Sequence, residues 1–97
     1  MLNFFVYILY SKSTDRFYVG QTVDLEKRLE EHNQNTYSKA HTKNVNDWEI
    51  FFTIECSSRN QAIKIESHIK STRKRKYYQN LKKYPEISQK LIQKYSS

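Results

Sequence analysis

Apolar side chains are concentrated at the start of the chain, where Phe4 to Tyr10 (FFVYILY) is an unbroken run of aromatic and aliphatic residues. Such a run predicts a well-buried β-strand. The polar, turn-forming segment 11–15 follows, and Phe17 to Val19 then predicts a second strand that Gly20 stops. Two strands this close in sequence form a hairpin. Gly20 is the only glycine in the chain, and its position at a strand end indicates a backbone site where a side chain would not fit.

A helix is predicted directly after the hairpin. Asp24 is a good N-cap, and one helical face then carries Leu25, Leu29 and His32. Arg28 and His32 are four residues apart on this helix, so their side chains project in nearly the same direction. Such an arginine can hold a phosphate while the imidazole moves a proton, although exposed Arg–His neighbours are also ordinary on a solvated helix. The polar, aperiodic segment 34–47 predicts a loop.

The second half of the chain predicts one more strand and two helices. Trp48 to Cys56 reads as a strand whose residues on one side are Ile50, Phe52 and Ile54. Ser58-x-x-Gln61 fits a capping box that opens a helix with an apolar stripe of Ala62, Ile65 and Ile69. Pro85 opens a short terminal helix with an apolar face of Ile87, Leu91 and Tyr95. The order β-β-α-β-α-α predicts an α/β (α+β) fold, a small three-stranded antiparallel sheet flanked by helices.

Composition favours one domain with an anionic partner. A chain of 97 residues with 37% hydrophobic and 28% charged residues is typical of a single globular domain, expected here over 1–97 with a core at 4–83 and a terminal helix at 85–95. Seventeen Lys and Arg against ten Asp and Glu give a net charge of +7. A surplus this large favours a phosphate-rich polyanion, and the alternative is a generally basic, solvated surface.

The cellular location is predicted from the cysteine content and from the apolar segment near the N-terminus. Cys56 is the only cysteine, so no internal disulfide forms, and a structural thiol is favoured over a nucleophile. The apolar segment near the N-terminus has no positively charged region ahead of it and ends within ten residues. It therefore predicts neither a signal peptide nor a membrane span, and the protein is expected in the cytoplasm, away from membranes.

Glu66 is a carboxylate on an apolar helical face, between Ile65 and Ile69. Such a carboxylate must be paired, hydrogen-bonded or bound to a cation, because burying an unpaired charge costs several kcal/mol. Its partner is then either a lysine or arginine from another element, or one Mg²⁺ or Mn²⁺ that keeps several waters. Since no second carboxylate stands at a suitable spacing, a two-metal site is not expected.

Tyr7 and Tyr18 lie in the middle of the two paired strands. In a chain with eight tyrosines and five phenylalanines, a core role is the default for any one of them. A buried phenol nevertheless needs a hydrogen-bond partner, and two phenols on neighbouring strands can face one point. Close to a cation, a phenol could orient a water or act as a base.

Together these residues give the hairpin a resemblance to the GIY-YIG nuclease superfamily. The two hallmark triplets are here Phe5-Val6-Tyr7 and Tyr18-Val19-Gly20, with ten residues between the two tyrosines. Arg28 follows Tyr18 by ten positions and His32 follows Arg28 by four, as the family's catalytic helix requires. Phe5 replaces the first glycine of the family name and valine replaces both isoleucines, changes that affect packing rather than chemistry.

The resemblance extends over residues 4–83. Within the superfamily, the chain is similar to the small stand-alone bacterial members. Glu66 matches the family's metal-binding glutamate, and Asn80 matches the asparagine that closes its pattern. The resemblance implies a metal-dependent endonuclease that hydrolyses DNA phosphodiester bonds at a single-metal site, without a small-molecule cofactor. Its implied catalytic residues are Tyr7, Tyr18, Arg28, His32, Glu66 and Asn80.

Each of these residues has an implied role. Glu66 holds one Mg²⁺ or Mn²⁺, and Arg28 neutralises charge on the phosphoryl oxygens. Tyr7, Tyr18 and His32 surround the attacking water, with Tyr7 favoured as general base and His32 assisting.

DNA binding is expected from basic residues that contact phosphates without reading bases. The candidates are Lys39 and Lys43 on the long loop, the cluster of Lys70, Arg73, Lys74, Arg75 and Lys76, and Gly20, whose backbone can approach the substrate. The expected cleavage is structure-selective or weakly sequence-selective on duplex, branched or single-stranded DNA, in a setting such as repair or recombination, with a partner protein supplying specificity. The alternative for the cluster is a solvated helix end, which the helix dipole favours.

Two other functions are compatible with a basic chain. The first is a non-cleaving nucleic-acid-binding module on the same fold, with aromatic side chains for stacking. Arg28 and Glu66 argue against it, because a pure binder has no need of a carboxylate facing its core. The second is a basic protein–protein adaptor that uses the hairpin edge, which leaves the arginine, histidine and glutamate unexplained.

Overall fold

The computed structural model describes residues 3–34 and 45–96, which form three strands and four helices. The strands are β1 (Phe4–Ser11), β2 (Arg16–Thr22) and β3 (Trp48–Cys56). The helices are α1 (Leu25–Asn33), α2 (Arg59–Thr72), α3 (Arg75–Lys83) and α4 (Pro85–Lys94). The predicted α+β fold with an antiparallel sheet is confirmed, and its order β-β-α-β-α-α-α contains one helix more than the pattern indicated.

The apolar strand β1 lies in the centre of the sheet, which has the order β2-β1-β3 with antiparallel pairing throughout. A central strand is covered on both faces, which explains why β1 has no polar alternation. Val6 and Ile8 point to one face, where they pack under α2, α3 and α4. Tyr7 and Leu9 point to the opposite face, which α1 covers. The sheet therefore separates a larger core, called the structural core below, from a smaller one that contains Tyr7 and Tyr18.

Gly20 lies inside β2 and does not end it, so the predicted strand end at this glycine is wrong. The strand continues to Thr22, and Gly20 pairs with Tyr7 across the hairpin. Its φ angle is not in the left-handed region. A Cβ atom on Gly20 would lie 2.5 Å from the Tyr7 hydroxyl, which confirms that a side chain does not fit here. The glycine is needed for the close approach of a ring rather than for a turn.

The bounds predicted for β3 are confirmed, but its predicted alternation is wrong. Ile54 is buried and Phe52 packs beside it, whereas Ile50 is 41% exposed. The reason is an irregularity in the pairing of β1 with β3, where Ile8 faces Phe52 but Leu9 faces Ile50. One residue is accommodated as a bulge, which changes the face of the residues before it.

The predicted helix caps are present. Asp24 accepts a hydrogen bond from the Lys27 N–H at the start of α1, and Ser58 accepts one from the Gln61 N–H at the start of α2. The Gln61 side chain reaches back to the Ser57 N–H at 2.8 Å, one residue earlier than a standard capping box. Its amide also donates to the Ile92 carbonyl at 3.0 Å and so ties α2 to α4.

The predicted basic cluster, for which one solvated helix end was the alternative, is divided between two helices. Helix α2 ends at Thr72, and its C-cap Arg73 has φ 49° and ψ 30° in the left-handed region. Helix α3 then begins at Arg75, and its apolar residues face the structural core, namely Tyr77, Tyr78 and Leu81. Lys70 lines a cleft beside β2, whereas Arg75 pairs with Asp15 at the hairpin tip, so the cations of the cluster do not form a single surface.

An ion pair fixes the tip of the hairpin. Arg75 donates to the Asp15 carboxylate at 2.8 Å and to the Asp15 carbonyl at 2.7 Å, and Tyr10 donates to the same carboxylate at 2.7 Å. Asp15 has φ 53°, a left-handed turn conformation that aspartate tolerates. The Arg75 guanidinium, followed by the Tyr10 hydroxyl, lowers the pKa of Asp15 below its ordinary value.

This lowered pKa predicts an acid-dependent loss of stability at the hairpin tip. A carboxyl whose pKa is lower in the folded state stabilises the fold above its unfolded pKa, and this stabilisation is lost as the pH falls through the folded pKa. We expect Asp15→Asn to reduce the change in melting temperature between pH 5 and pH 2 relative to the wild type. Thermal melts over this range test it, with Glu49→Gln, an exposed carboxylate on β3, as control. Equal pH dependence in all three proteins would contradict the contribution of the ion pair.

The single cysteine is part of the packing. Cys56 is 2% exposed, and burial raises the pKa of its thiol above the ordinary value. A raised pKa keeps the thiol protonated, which agrees with the predicted structural role. Among the described residues, no helix has the length and apolar character needed to cross a membrane.

Candidate active site

A polar cleft of about 360 Å³ lies along β2, between α1 and α2. Strand β2 contributes Tyr18, Gly20, Gln21 and Thr22 to its lining. The remaining lining residues are Val23, Arg28, Arg59, Glu66 and Lys70. Because β2 is an edge strand, helices from opposite faces of the sheet both reach this cleft. The cleft thus brings together three predicted catalytic side chains from three elements: Tyr18, Arg28 and Glu66.

Tyr7 and His32 form a buried pair next to this cleft. The Tyr7 hydroxyl and His32 Nε2 are hydrogen-bonded at 3.1 Å, and the two residues are 1% and 0% exposed. If the imidazole proton is on Nδ1, the Tyr7 hydroxyl donates to Nε2; otherwise Nε2–H donates to the phenol oxygen. Either arrangement gives both polar groups a partner inside an aromatic core.

Tyr18 connects the buried pair to the cleft. Its ring centroid lies 4.7 Å from that of His32 and 6.2 Å from that of Tyr7. Trp48 closes the other side, with its ring centroid 6.3 Å from that of His32. Tyr18 lines the cleft, and the Lys70 ammonium lies 6.0 Å from its ring centroid. Of the two predicted tyrosines, Tyr18 is therefore the one that a ligand in the cleft can contact.

Arg28 projects from α1 into the cleft and is held at its base by two acceptors. Its Nε donates to Glu31 at 3.1 Å, and one Nη donates to the backbone carbonyl of Gln21 at 3.4 Å. These bonds fix the direction of the guanidinium. A guanidinium is always charged and presents its N–H donors in a planar fork, a geometry that suits phosphoryl oxygens.

Glu66 lies on the cleft side of α2 and is paired with a lysine of its own helix. Its carboxylate lies 2.6 Å from the Lys70 ammonium, and the two side chains are 18% and 49% exposed. The sequence predicts that any ion-pair partner of Glu66 comes from another element. The partner in the structure is instead Lys70, one turn along the same helix. This pair satisfies the carboxylate in the absence of any other cation.

Four residues of the cleft lining were not predicted as site residues, namely Gln21, Thr22, Val23 and Arg59. Arg59, the first residue of α2, lines the cleft with its guanidinium carbon 5.1 Å from the centroid of the Phe4 ring. The Gln21 side-chain oxygen is buried and accepts no hydrogen bond from the described part of the chain. Arg59 could have been noticed in the sequence as a positive charge at a predicted helix start, where the helix dipole favours a negative charge.

The other predicted residues lie away from the cleft or outside the described ranges. Asn80 lies on α3, its backbone carbonyl accepts from the Tyr84 N–H at 2.8 Å, and it is not among the described residues that line the cleft. Arg75 is occupied at the hairpin tip. Arg73, Lys74 and Lys76 are exposed around the junction of α2 and α3. Lys39 and Lys43 lie outside the described residues.

The donor chemistry of the cleft fits one weakly held divalent cation. Within residues 3–34 and 45–96, no three His, Cys, Asp or Glu side chains are grouped as a metal cage. Glu66 is the one carboxylate among the described cleft residues. Mg²⁺ is commonly bound by one or two carboxylates together with waters and substrate phosphates. Glu66 would therefore hold such a cation together with the nucleic acid.

The chain matches a known class of domain. The family model of the GIY-YIG catalytic domain matches residues 3–80, most of the chain. The chain therefore belongs to the GIY-YIG family, whose members are typically nucleases. Membership confirms the resemblance of the two tyrosine triplets and implies a nucleic acid as the substrate.

Two relatives are similar to this chain over most of their own length. The chain is 34% identical over 82 residues to a UPF0213 protein of Syntrophus aciditrophicus (strain SB), with 84% of this chain and 93% of that protein covered. It is also similar to the solution NMR structure of a UPF0213 protein from Bacillus halodurans, with a TM-score of 0.52, 26% identity and 86% of each chain covered. The predicted likeness to small stand-alone members is thus confirmed.

Proposed function

We propose that this protein is an endonuclease that hydrolyses DNA phosphodiester bonds with the help of one divalent cation. The observation that carries the proposal is the meeting of Tyr18, Arg28 and Glu66 at one cleft. A phenol, a guanidinium and a carboxylate supply a group beside the attacking water, a phosphate anchor and a cation ligand. The net charge of +7 favours the approach of DNA to such a site.

The residues of the cleft divide the chemistry between them. Arg28 binds a non-bridging phosphoryl oxygen and stabilises the charge that grows there in the transition state. The attacking water lies beside Tyr18, because the Tyr7 side chain is buried and Tyr18 lines the cleft. As the water oxygen bonds to phosphorus, the P–O bond to the leaving nucleoside oxygen breaks, and that oxygen takes a proton from solvent. The proton of the attacking water passes by way of the Tyr18 hydroxyl to the hydrogen-bonded pair of Tyr7 and His32. Tyr7 therefore has a less direct role in this proposal than the predicted one of general base.

Glu66 would hold the divalent cation, which as a bound Lewis acid supplies stabilisation of negative charge on the phosphate oxygens. The ion pair with Lys70 keeps the carboxylate directed into the cleft. With a cation bound to Glu66, Lys70 would be able to contact the substrate, the role predicted for it among the DNA-binding residues. Arg73, Lys74 and Lys76 extend the basic surface beyond the cleft.

The test is a cleavage assay with three DNA forms: supercoiled plasmid, branched duplex and single strand. We expect the wild type to nick at least one of them with Mg²⁺ or Mn²⁺ and to lose activity with EDTA. A doubly substituted protein, Arg28→Ala with Glu66→Gln, is purified in parallel. Equal nicking by this protein would identify a contaminating nuclease and contradict the proposal. Binding without cleavage under all conditions would favour the non-cleaving module.

The Lys70 ion pair predicts a specific change in cation affinity. An exposed pair of this kind contributes about 0.3 to 1 kcal/mol, so removing the competing ammonium should strengthen cation binding by a factor of about 2 to 5. We expect Lys70→Ala to lower the half-saturating Mn²⁺ concentration by this factor, measured by electron paramagnetic resonance of free Mn²⁺. Lys64→Ala, on the same helix but outside the cleft lining, serves as control. An unchanged or weaker affinity for Mn²⁺ in Lys70→Ala would show that the two cations do not compete for Glu66.

A further inference from the structure

Arg59 differs from the other two cations of the cleft in how its charge is balanced. Arg28 has Glu31 at 3.1 Å, and Lys70 has Glu66 at 2.6 Å. Among the described residues, no carboxylate forms a salt bridge with Arg59. Its positive charge is therefore available to a ligand without breaking an existing pair.

Arg59 stands at a position that is unfavourable for a cation. It is the first residue of α2, where the helix dipole favours a negative charge, and the first turn contains no acidic residue. The contact of its guanidinium with the Phe4 ring offsets part of this cost and limits its direction, but it leaves the N–H donors able to bind. A residue that opposes a local preference at the edge of a cleft is a candidate for function.

The position of Arg59 on α2 gives its distance from Glu66, the proposed cation ligand. Arg59 and Glu66 are seven residues apart, two helical turns, so they lie on the same face about 10 Å apart along the helix axis. One DNA strand carries a phosphate about every 3.4 Å of axial rise. Arg59 therefore lies within about three nucleotides of a phosphate at Glu66.

We infer that Arg59 binds a second phosphate of the cleaved strand, within three nucleotides of the scissile bond. The cleft then takes a strand with several phosphates and discriminates against an isolated phosphodiester. This inference rests on the proposed function. Arg59 is a substrate-positioning residue, so its loss raises KM and leaves kcat nearly unchanged.

The test is a scan of neutral linkages. A cleavable oligonucleotide receives a single methylphosphonate at each of three positions on either side of the scissile bond. In the wild type, one position is expected to raise KM about tenfold, the loss typical of one charge-assisted hydrogen bond. In Arg59→Ala, KM for unmodified DNA rises about tenfold, and the same methylphosphonate has no further effect. Arg59→Lys, which keeps the charge, recovers most of the affinity.

A binding measurement separates this inference from the proposed hydrolysis. Fluorescence anisotropy without divalent cation gives Kd at several salt concentrations, and Arg59→Ala should reduce the slope of log Kd against log salt by about one. Lys64→Ala is the matched control, and circular dichroism verifies folding. An Arg59→Ala protein with wild-type KM, Kd and salt slope would overturn the inference. Absence of cleavage by the wild type would overturn the proposed function, while the anisotropy result would still decide whether Arg59 contacts phosphate.

Discussion

Glu66→Gln is expected to lower cation-dependent nicking by about 10²- to 10³-fold at saturating DNA, the loss typical of removing one preorganised electrostatic group. Glutamine keeps the size of the side chain and is a similarly good helix former, so α2 should persist. What is lost is the negative charge that would hold the cation. The measurement is the initial rate of plasmid nicking over a range of Mg²⁺ and Mn²⁺ concentrations.

The control for this experiment is Glu55→Gln, an exposed glutamate on β3 that does not line the cleft. It should nick at the wild-type rate. The ion pair of Glu66 with the half-exposed Lys70 contributes little to stability, so the melting temperatures of the two variants should stay close to that of the wild type. A Glu66→Gln protein with a rate within threefold of the wild type would contradict the assigned role of Glu66.

The elements that could be predicted are those whose determinants lie close together in sequence. The buried strand β1, the caps Asp24 and Ser58, and the bounds of β3 depend on short patterns, and all of them appear in the structure. The candidate site was predicted through the spacing of Tyr18, Arg28 and Glu66, which the resemblance to a family made specific. No single spacing in this set would have been sufficient.

The features that could not be predicted depend on contacts between distant elements. Helix α3 was not predicted, because four of its nine residues are basic and its apolar face is short, although Tyr77 and Tyr78 pack on the core. Arg59 reaches the cleft only because α2 lies beside the edge strand β2, and helical periodicity does not give that placement. The pairing of Glu66 with Lys70 is local, but an i, i+4 spacing does not indicate which side chains will pair.

Gly20 shows how the hairpin and the proposed chemistry depend on one position. It faces Tyr7 in the antiparallel register, and the Tyr7 ring lies across its Cα. A Cβ atom here would lie 2.5 Å from the Tyr7 hydroxyl and 2.6 Å from Cζ, distances that no side chain tolerates. The neighbours of Tyr7 on this face are buried, so the ring has little room to move.

Gly20→Ala is therefore expected to destabilise the fold by about 1–3 kcal/mol, the usual cost of overpacking a core, as measured by urea unfolding. It should also lower nicking by about 10²-fold, because displacing the phenol breaks the 3.1 Å hydrogen bond to His32 and acid–base catalysis is typically worth 10²–10⁴. Tyr7→Phe is the matched comparison: it removes the hydroxyl but keeps the ring, so it should reproduce most of the loss of activity with a smaller loss of stability. Wild-type unfolding together with wild-type nicking in Gly20→Ala would show that the ring can move away without consequence, and that the Tyr7–His32 pair is not required in this geometry.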